Sequence, residues 1–266
     1  MLYERDYRIL SQEEMQKLDA AKRYLHKRFE VSVTRFNKYH KMRPEASCYF
    51  ESLFPNHFLH TGHLQDHAYL KEISNGFSQI LEGQPTEQAI LNYVSSNRYY
   101  PLVGTILKSQ YYFGHHGAYL FKEFPLPPNY VTDYLLVGKN SGGYEFVFVE
   151  FESPIGQIVN KDGTLGNVIR KGLKQIEDWD TWIDANFAHL KLLFQRYLGT
   201  SISLPDEFIS LDKTRIHYAL VAGRRCNFTD RTYRIRRKLK KERNITLLHY
   251  DNLLDELEVF KSSANY

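Results

Sequence analysis

The sequence predicts a mixed α/β fold with a mainly helical N-terminal region, and three observations support it. Residues 130–152 hold two runs rich in β-branched, aromatic and aliphatic residues, separated by a Gly/Asn/Ser stretch at 138–143. That pattern reads as a β-hairpin. After Pro85, strand-like runs alternate with helical ones, the signature of a sheet flanked by helices. Before residue 80 the apolar residues recur at helical spacing instead.

Taken in order, Ser11 and Glu14 form a capping box, followed by Met15, Leu18, Ala21, Leu25 and Phe29 on one helical stripe. The aromatic-rich stretch 48–80 holds His57, His60, His63 and His67 at spacings that share a helical face. Such histidines could seed a metal site, but Gly62 interrupts them and no carboxylate or cysteine pattern completes the set. Partly buried polar roles are therefore expected for them. Gly and Pro punctuate 75–85, the expected boundary between a helical region, 1–80, regulatory or oligomerising, and a second domain, 85–266.

In the second unit Thr86 caps a helix running to Asn97, and 99–110 starts another with Pro101 in its first turn. A Gly/Asn/Asp-rich loop follows Glu152 and is long enough to lie over a cleft. The helix expected over 168–188 has Leu173, Ile176, Trp179 and Ile183 on one stripe, with Lys171, Lys174 and Gln175 as mutual neighbours. Strands are expected at 215–223 and 245–250, the latter followed by a closing helix with Asp251 near its start. Between these strands, 224–243 carries ten Lys/Arg against Asp230 and Glu242. A run of this kind is either a solvated helix face or a surface that attracts a phosphodiester backbone.

Composition narrows the class. With 266 residues, 42% hydrophobic and 25% charged, the chain is long enough for a substantial core and reads as soluble and globular. The first ten residues are charged and lack the apolar core of a signal peptide, and no apolar run is long enough to span a membrane. Cys48 and Cys226 form neither a metal spacing nor a disulfide framework, which fits a reducing cytoplasm. A net charge of +4 does not by itself argue for nucleic acid. No Ser/His/Asp motif, Walker loop or dinucleotide fingerprint is present.

The chemistry concentrates in the hairpin. Asp133 interrupts its first strand, and Glu150 and Glu152 close the second after the apolar run 146–149. Alternation puts Glu150 and Glu152 on one face, and hairpin pairing brings Asp133 to it. Three carboxylates crowded at the end of a hydrophobic strand repel one another and lose hydration. A hard divalent ion such as Mg²⁺ or Mn²⁺ relieves both costs. Acids two residues apart on one strand are badly placed to flank a sugar from opposite sides, which disfavours a glycosidase.

An Asp, a hairpin turn and an apolar strand ending Glu-x-(Glu/Lys) resemble the core of the PD-(D/E)xK nucleases. More closely, VTDYLLV…FVFVEFESP followed by RKGLKQIEDWDTWI resembles the nuclease domain of the Shedu family of antiphage defence proteins, from about residue 85 to 254. The resemblance implies a restriction-endonuclease-like mixed β-sheet flanked by helices. It also implies a metal-dependent DNA nuclease of bacterial antiphage defence, acting as a homo-oligomer. Asp133, Glu150 and Glu152 would hold Mg²⁺ or Mn²⁺, with Gln175, Lys171 and Lys174 as catalytic partners. Gln175 and Trp179 are similar to a Gln-x-x-x-Tyr element found beside the metal in exonuclease-type members, with Trp in place of Tyr. Glu87 and Glu123 match further acids near the family's site, although Glu87 also reads as a first-turn acid complementing a helix dipole and Glu123 as a solvated charge at a strand end. The segment from Arg224, with Arg225, Arg231, Arg234, Arg236, Arg237 and Lys238, would meet DNA. This chain departs from the usual motif at Glu152, where lysine is commonest. Either Lys171 or Lys174 reaches in, or Glu152 helps bind a second metal, or the chain is a catalytically inactive DNA-binding relative.

Overall fold

Alternation along the hairpin strands divides their side chains between two faces, and helices cover both. The computed structural model describes residues 2–26, 33–111, 113–200 and 202–266; Phe29, expected on the first helical stripe, lies outside them. The N-terminal region is helical: α1 (Gln12–His26), α2 (Val33–Met42), α3 (Ala46–Phe50), α4 (Gly62–Gln65) and α5 (His67–Glu82). Then come α6 (Glu87–Asn97), α7 (Tyr100–Gln110), β1 (Gly117–Leu126), β2 (Tyr130–Asn140) and β3 (Gly143–Phe151). The chain closes with α8 (Asn167–Tyr197), β4 (Ile216–Val221), α9 (Asp230–Arg243), β5 (Ile245–Leu248) and α10 (Tyr250–Phe260).

The five strands form one mixed sheet in the order β1-β2-β3-β4-β5. The first three are antiparallel neighbours, while β4 and β5 run parallel to β3. The hairpin turn is tighter than the expected 138–143. Asn140 pairs with Gly143, and Gly138 lies inside the ladder opposite Glu145. Gly143 takes a φ of +111°, a conformation that side chains resist, which is why glycine suits that corner. The two later strands are shorter than expected. Arg215 ends a 3₁₀ turn, and His249 already caps α10.

On one face Leu120, Tyr134, Leu136, Val147, Val149 and Val221 pack beneath α5, α6, α7 and α10. On the other Phe121, Leu135, Val137, Phe146, Phe148 and Leu220 pack beneath α8 and α9. The predicted stripe Leu173, Ile176, Trp179 and Ile183 is buried on that second face. The helix continues nine residues past Ala188 because Leu190, Leu193 and Phe194 sustain the stripe. A 100°-per-residue pattern lasts as long as there is a sheet to cover.

The N-terminal region is tied into both layers. Ser11 and Glu14 make the expected capping box, the Ser11 amide donating to Glu14 Oε2 at 2.8 Å and the Glu14 amide to Ser11 Oγ at 3.2 Å. Of the first stripe, Leu18 and Ala21 are buried while Met15 remains exposed. Leu70, Ile73, Phe77 and Leu81 of α5 share one apolar cluster with α7 and α10. Phe54 enters the opposite cluster, 5.8 Å from the Phe194 ring, which itself lies 4.9 Å from Phe208. Three of the four histidines take separate structural roles, and the fourth faces solvent. His57 Nδ1 donates to the Leu120 carbonyl at 3.1 Å, His60 stacks on Tyr49, His63 Nε2 lies 3.5 Å from the Tyr49 hydroxyl, and His67 is exposed.

Phe194 sits where the aromatic rings of β1, β3 and the N-terminal region meet. Phe194→Ala is expected to lower unfolding free energy by about 3–5 kcal/mol, measured by urea denaturation. A loss below about 1 kcal/mol would mean that the neighbouring rings collapse into the gap.

Candidate functional site

The acids of the hairpin come together as strand alternation requires. Asp133, Glu150 and Glu152 share parity with Leu135, Phe146 and Phe148, so all three project from the face that α8 covers. Glu150 and Glu152 are only 2% and 3% exposed. Asp133 Oδ2 accepts from the Phe151 amide at 2.7 Å, which fixes it across the β2–β3 ladder beside Glu150. Glu150 Oε2 is buried without a hydrogen-bond partner.

Two further side chains complete the cluster. Glu87 opens α6, where the Thr86 hydroxyl accepts from the Ala89 amide at 3.2 Å. Its carboxyl bears on Glu152, whose pKa it helps to raise. Lys171, one turn into α8, places Nζ 3.0 Å from Glu152 Oε1 and 3.7 Å from Glu87 Oε2. An ammonium, that of Lys171, thus stands beside Glu152. Lys174 instead pairs with Asp178 at 3.1 Å and points to solvent.

Two residues that sequence reasoning missed make this meeting possible. At Gly172 a Cβ would lie 2.4 Å from Leu220 Cδ1 and 3.1 Å from Glu152 Cγ, so only glycine lets α8 approach this closely. A glycine inside a helical pattern was the available signal. Tyr250 donates its hydroxyl to the Glu152 carbonyl at 2.7 Å from 98 residues away, and no local pattern announces such a contact.

Burial dominates the electrostatics. It pushes the Asp133 carboxyl up to about 7, against the Phe151 amide and with help from Glu87 and Glu152. Glu150 is raised further, by burial first and then by Asp133, Glu152 and Glu87. Glu152 is raised by burial, with Lys171 opposing. Burial also works against the Lys171 charge, but the Glu152 hydrogen bond and the surrounding acids lift its pKa overall.

Among the described residues no group of three or more His, Cys, Asp or Glu stands in metal-holding geometry. With Lys171 on Glu152, the donors left are Asp133 and Glu150, whose Oε2 is unsatisfied. This set suits Mg²⁺, which keeps several waters and takes one or two carboxylates together with substrate phosphate oxygens. The residues present therefore fit such an ion.

Other expected residues are distributed differently. Glu123 is exposed, lies 3.6 Å from Lys122 and does not join the cluster. Gln175 lines, with Lys171 and Lys174, a cleft of about 520 Å³ between α8 and the start of β2. Within the basic segment, Arg224 pairs with Asp251 at 2.7 Å and donates to the Leu81 carbonyl at 3.0 Å. Arg225 pairs with Asp255. Arg231 packs against Gly163 of the loop after β3, and burial pushes the Arg236 pKa down. Lys238 reaches Glu242 at 3.8 Å. Arg234 and Arg237 are exposed and make no ion pair among the described residues.

The raised acids fix the sign of the pH dependence. From about pH 4, where an unfolded aspartate titrates, to about 7, the folded chain keeps the Asp133 proton that the unfolded chain releases. Stability therefore falls as pH rises through this window, and Glu150 and Glu152 act in the same sense. Without divalent ions, melting temperature should fall from about pH 5 to about pH 8, and Glu150→Gln should raise stability at neutral pH by roughly 1–3 kcal/mol. A melting temperature that instead rises across that range would contradict the burial of these acids.

A family model described as Shedu protein SduA, C-terminal, matches residues 86–254. Comparison with curated proteins finds none that matches. The matched region takes in α6, the hairpin, α8 and the start of α10, the elements that supply Glu87, Asp133, Glu150, Glu152, Lys171 and Tyr250. Since it covers more than half of the 266 residues, the chain belongs to the family of the Shedu protein SduA.

Proposed function

We propose that this chain is a metal-dependent DNA nuclease acting in antiphage defence, with a restriction-endonuclease-like fold of the PD-(D/E)xK type. One observation carries the reading: buried Asp133 and Glu150 side by side at a strand end, with an ammonium, Lys171, held next to them by Glu152. Two buried carboxylates, one with an oxygen lacking a partner, beside a cation suit hydrolysis of a phosphodiester.

Asp133 and Glu150 would hold Mg²⁺, or Mn²⁺ in its place, which supplies a Lewis acid and lowers the pKa of bound water. Lys171 offers positive charge to the phosphoryl oxygens as negative charge builds there. Glu152 orients that ammonium rather than replacing it, and Glu87 steadies it from the other side. Gln175 contributes an amide that can position water or phosphate. Arg234, Arg237 and Lys238 lie on the exposed side of α9 and would attract the DNA backbone.

Incubating the protein with linear DNA tests this directly. Cleavage is expected with Mg²⁺ or Mn²⁺ and not with chelator, and Glu150→Ala should lower it by about 10²-fold or more. Lys171→Met keeps the aliphatic stem and should lower the rate while leaving DNA affinity nearly unchanged. The double variant Arg234→Ala/Arg237→Ala should weaken binding to all sequences and reduce the salt slope by about 2. DNA binding with no cleavage in either metal would replace this reading with that of an inactive DNA-binding module, for which Glu152 at the usual lysine position is the motivating feature.

A further inference from the structure

The cleft beside the acid cluster has a composition that the phosphodiester chemistry alone does not use. Lys171 is common to both: its ammonium meets Glu152, and the residue also lines the cleft. Arg170 and Lys174 add two more cations, against Asp178 as the one acid. Arg170 is exposed and makes no ion pair among the described residues, whereas Asp178 is already matched by Lys174. The facing wall is Tyr130 and Val131, and Val131 is 51% exposed, high for an aliphatic residue on a strand.

That wall is firmly placed. The Trp182 indole donates to the Pro127 carbonyl at 2.9 Å, anchoring the β1–β2 connection to α8 just before Tyr130. A ring and an aliphatic surface thus face a row of cations across about 520 Å³, a volume in the range of small-molecule sites. Aromatic and apolar surfaces opposite cations are what single-stranded nucleic acid requires, since unstacked bases expose their faces and phosphates need positive charge. A duplex hides those faces within its stack and cannot enter so small a concavity.

We infer that the cleft between α8 and the start of β2 binds one unstacked nucleotide next to the scissile phosphate, making single-stranded or frayed DNA the preferred substrate. This rests on the nuclease reading for its position beside the cut. The base lies against Tyr130 and Val131, and its phosphate meets Arg170 and Lys174. Duplex DNA is then accepted only where a nick, an end or a mismatch frees a nucleotide.

The test is fluorescence anisotropy with a labelled oligothymidylate and with the matching blunt duplex, in chelator, so that binding is read without cleavage. The single strand should bind at least about tenfold more tightly than the duplex, and Tyr130→Ala and Arg170→Ala should each weaken it by about tenfold. Duplex affinity should stay within about twofold for both variants. Should Tyr130→Ala fail to fold by its thermal melt, Val131→Glu serves instead, because that side chain is exposed and the substitution brings an acid into the cleft. Equal affinity for strand and duplex, or strand binding unchanged in these variants, overturns the inference. Absence of cleavage in a separate assay with Mg²⁺ would remove the nuclease reading and leave the strand preference to stand or fall on its own.

Discussion

Glu150 ends an apolar strand, and its carboxyl is withdrawn from water before any partner is provided for one of its oxygens. Burying such a group costs several kcal/mol unless it stays protonated or finds a cation. The neighbouring Asp133 cannot help, because the Phe151 amide fixes it as a second acceptor on the same face. The Lys171 ammonium offsets that cost, while the Glu87 carboxyl adds to it. Lys171 approaches from α8, Glu87 from α6, and Tyr250 binds the Glu152 backbone from α10. Three helices from distant parts of the chain are thus referred to one strand end.

The helix α8 does two jobs with different faces. Its apolar stripe covers the sheet from Ile169 to Phe194, while its first turns carry the cations of the site. Gly172 joins the two roles, since the contact with Leu220 and Glu152 has no room for a side chain. A helix standing off by the width of a methyl group would still cover the sheet but would draw Lys171 away from Glu152. Trp182 extends the same docking to the β1–β2 connection through Pro127.

The basic segment is heterogeneous despite its uniform composition. Its first two arginines are committed to Asp251 and Asp255, and Arg224 also binds the Leu81 carbonyl. That joins the end of α5, the exit from β4 and the start of α10, so these charges hold the scaffold together. Exposed pairs of this kind contribute little singly, but Arg224 is half-buried and bidentate on Asp251, which makes it the stronger anchor. Among the described residues the outward side of α9 keeps exposed cations without ion pairs, Arg234, Arg237 and Lys241 among them.

The sequence alone determined what depends on short periods. Two-residue alternation placed Glu150 and Glu152 on one face, the hairpin pattern brought Asp133 to them, and the 3.6-residue period marked the stripe Leu173, Ile176, Trp179 and Ile183. Caps at Ser11 and Thr86 were equally legible, because they involve neighbours three residues away. Lys174 could be read as solvent-facing, lying nearly opposite the apolar stripe of its own helix, yet which of the two lysines served the acids stayed open. Tertiary structure decided that choice, since the position of Lys171 depends on how closely α8 docks at Gly172. It also decided that Glu87 joins the cluster while Glu123 faces solvent, and that Arg224 and Arg225 are taken up by α10. These outcomes are contacts between elements separated by tens of residues, set by layer packing and charge pairing, and no local period in the chain encodes them.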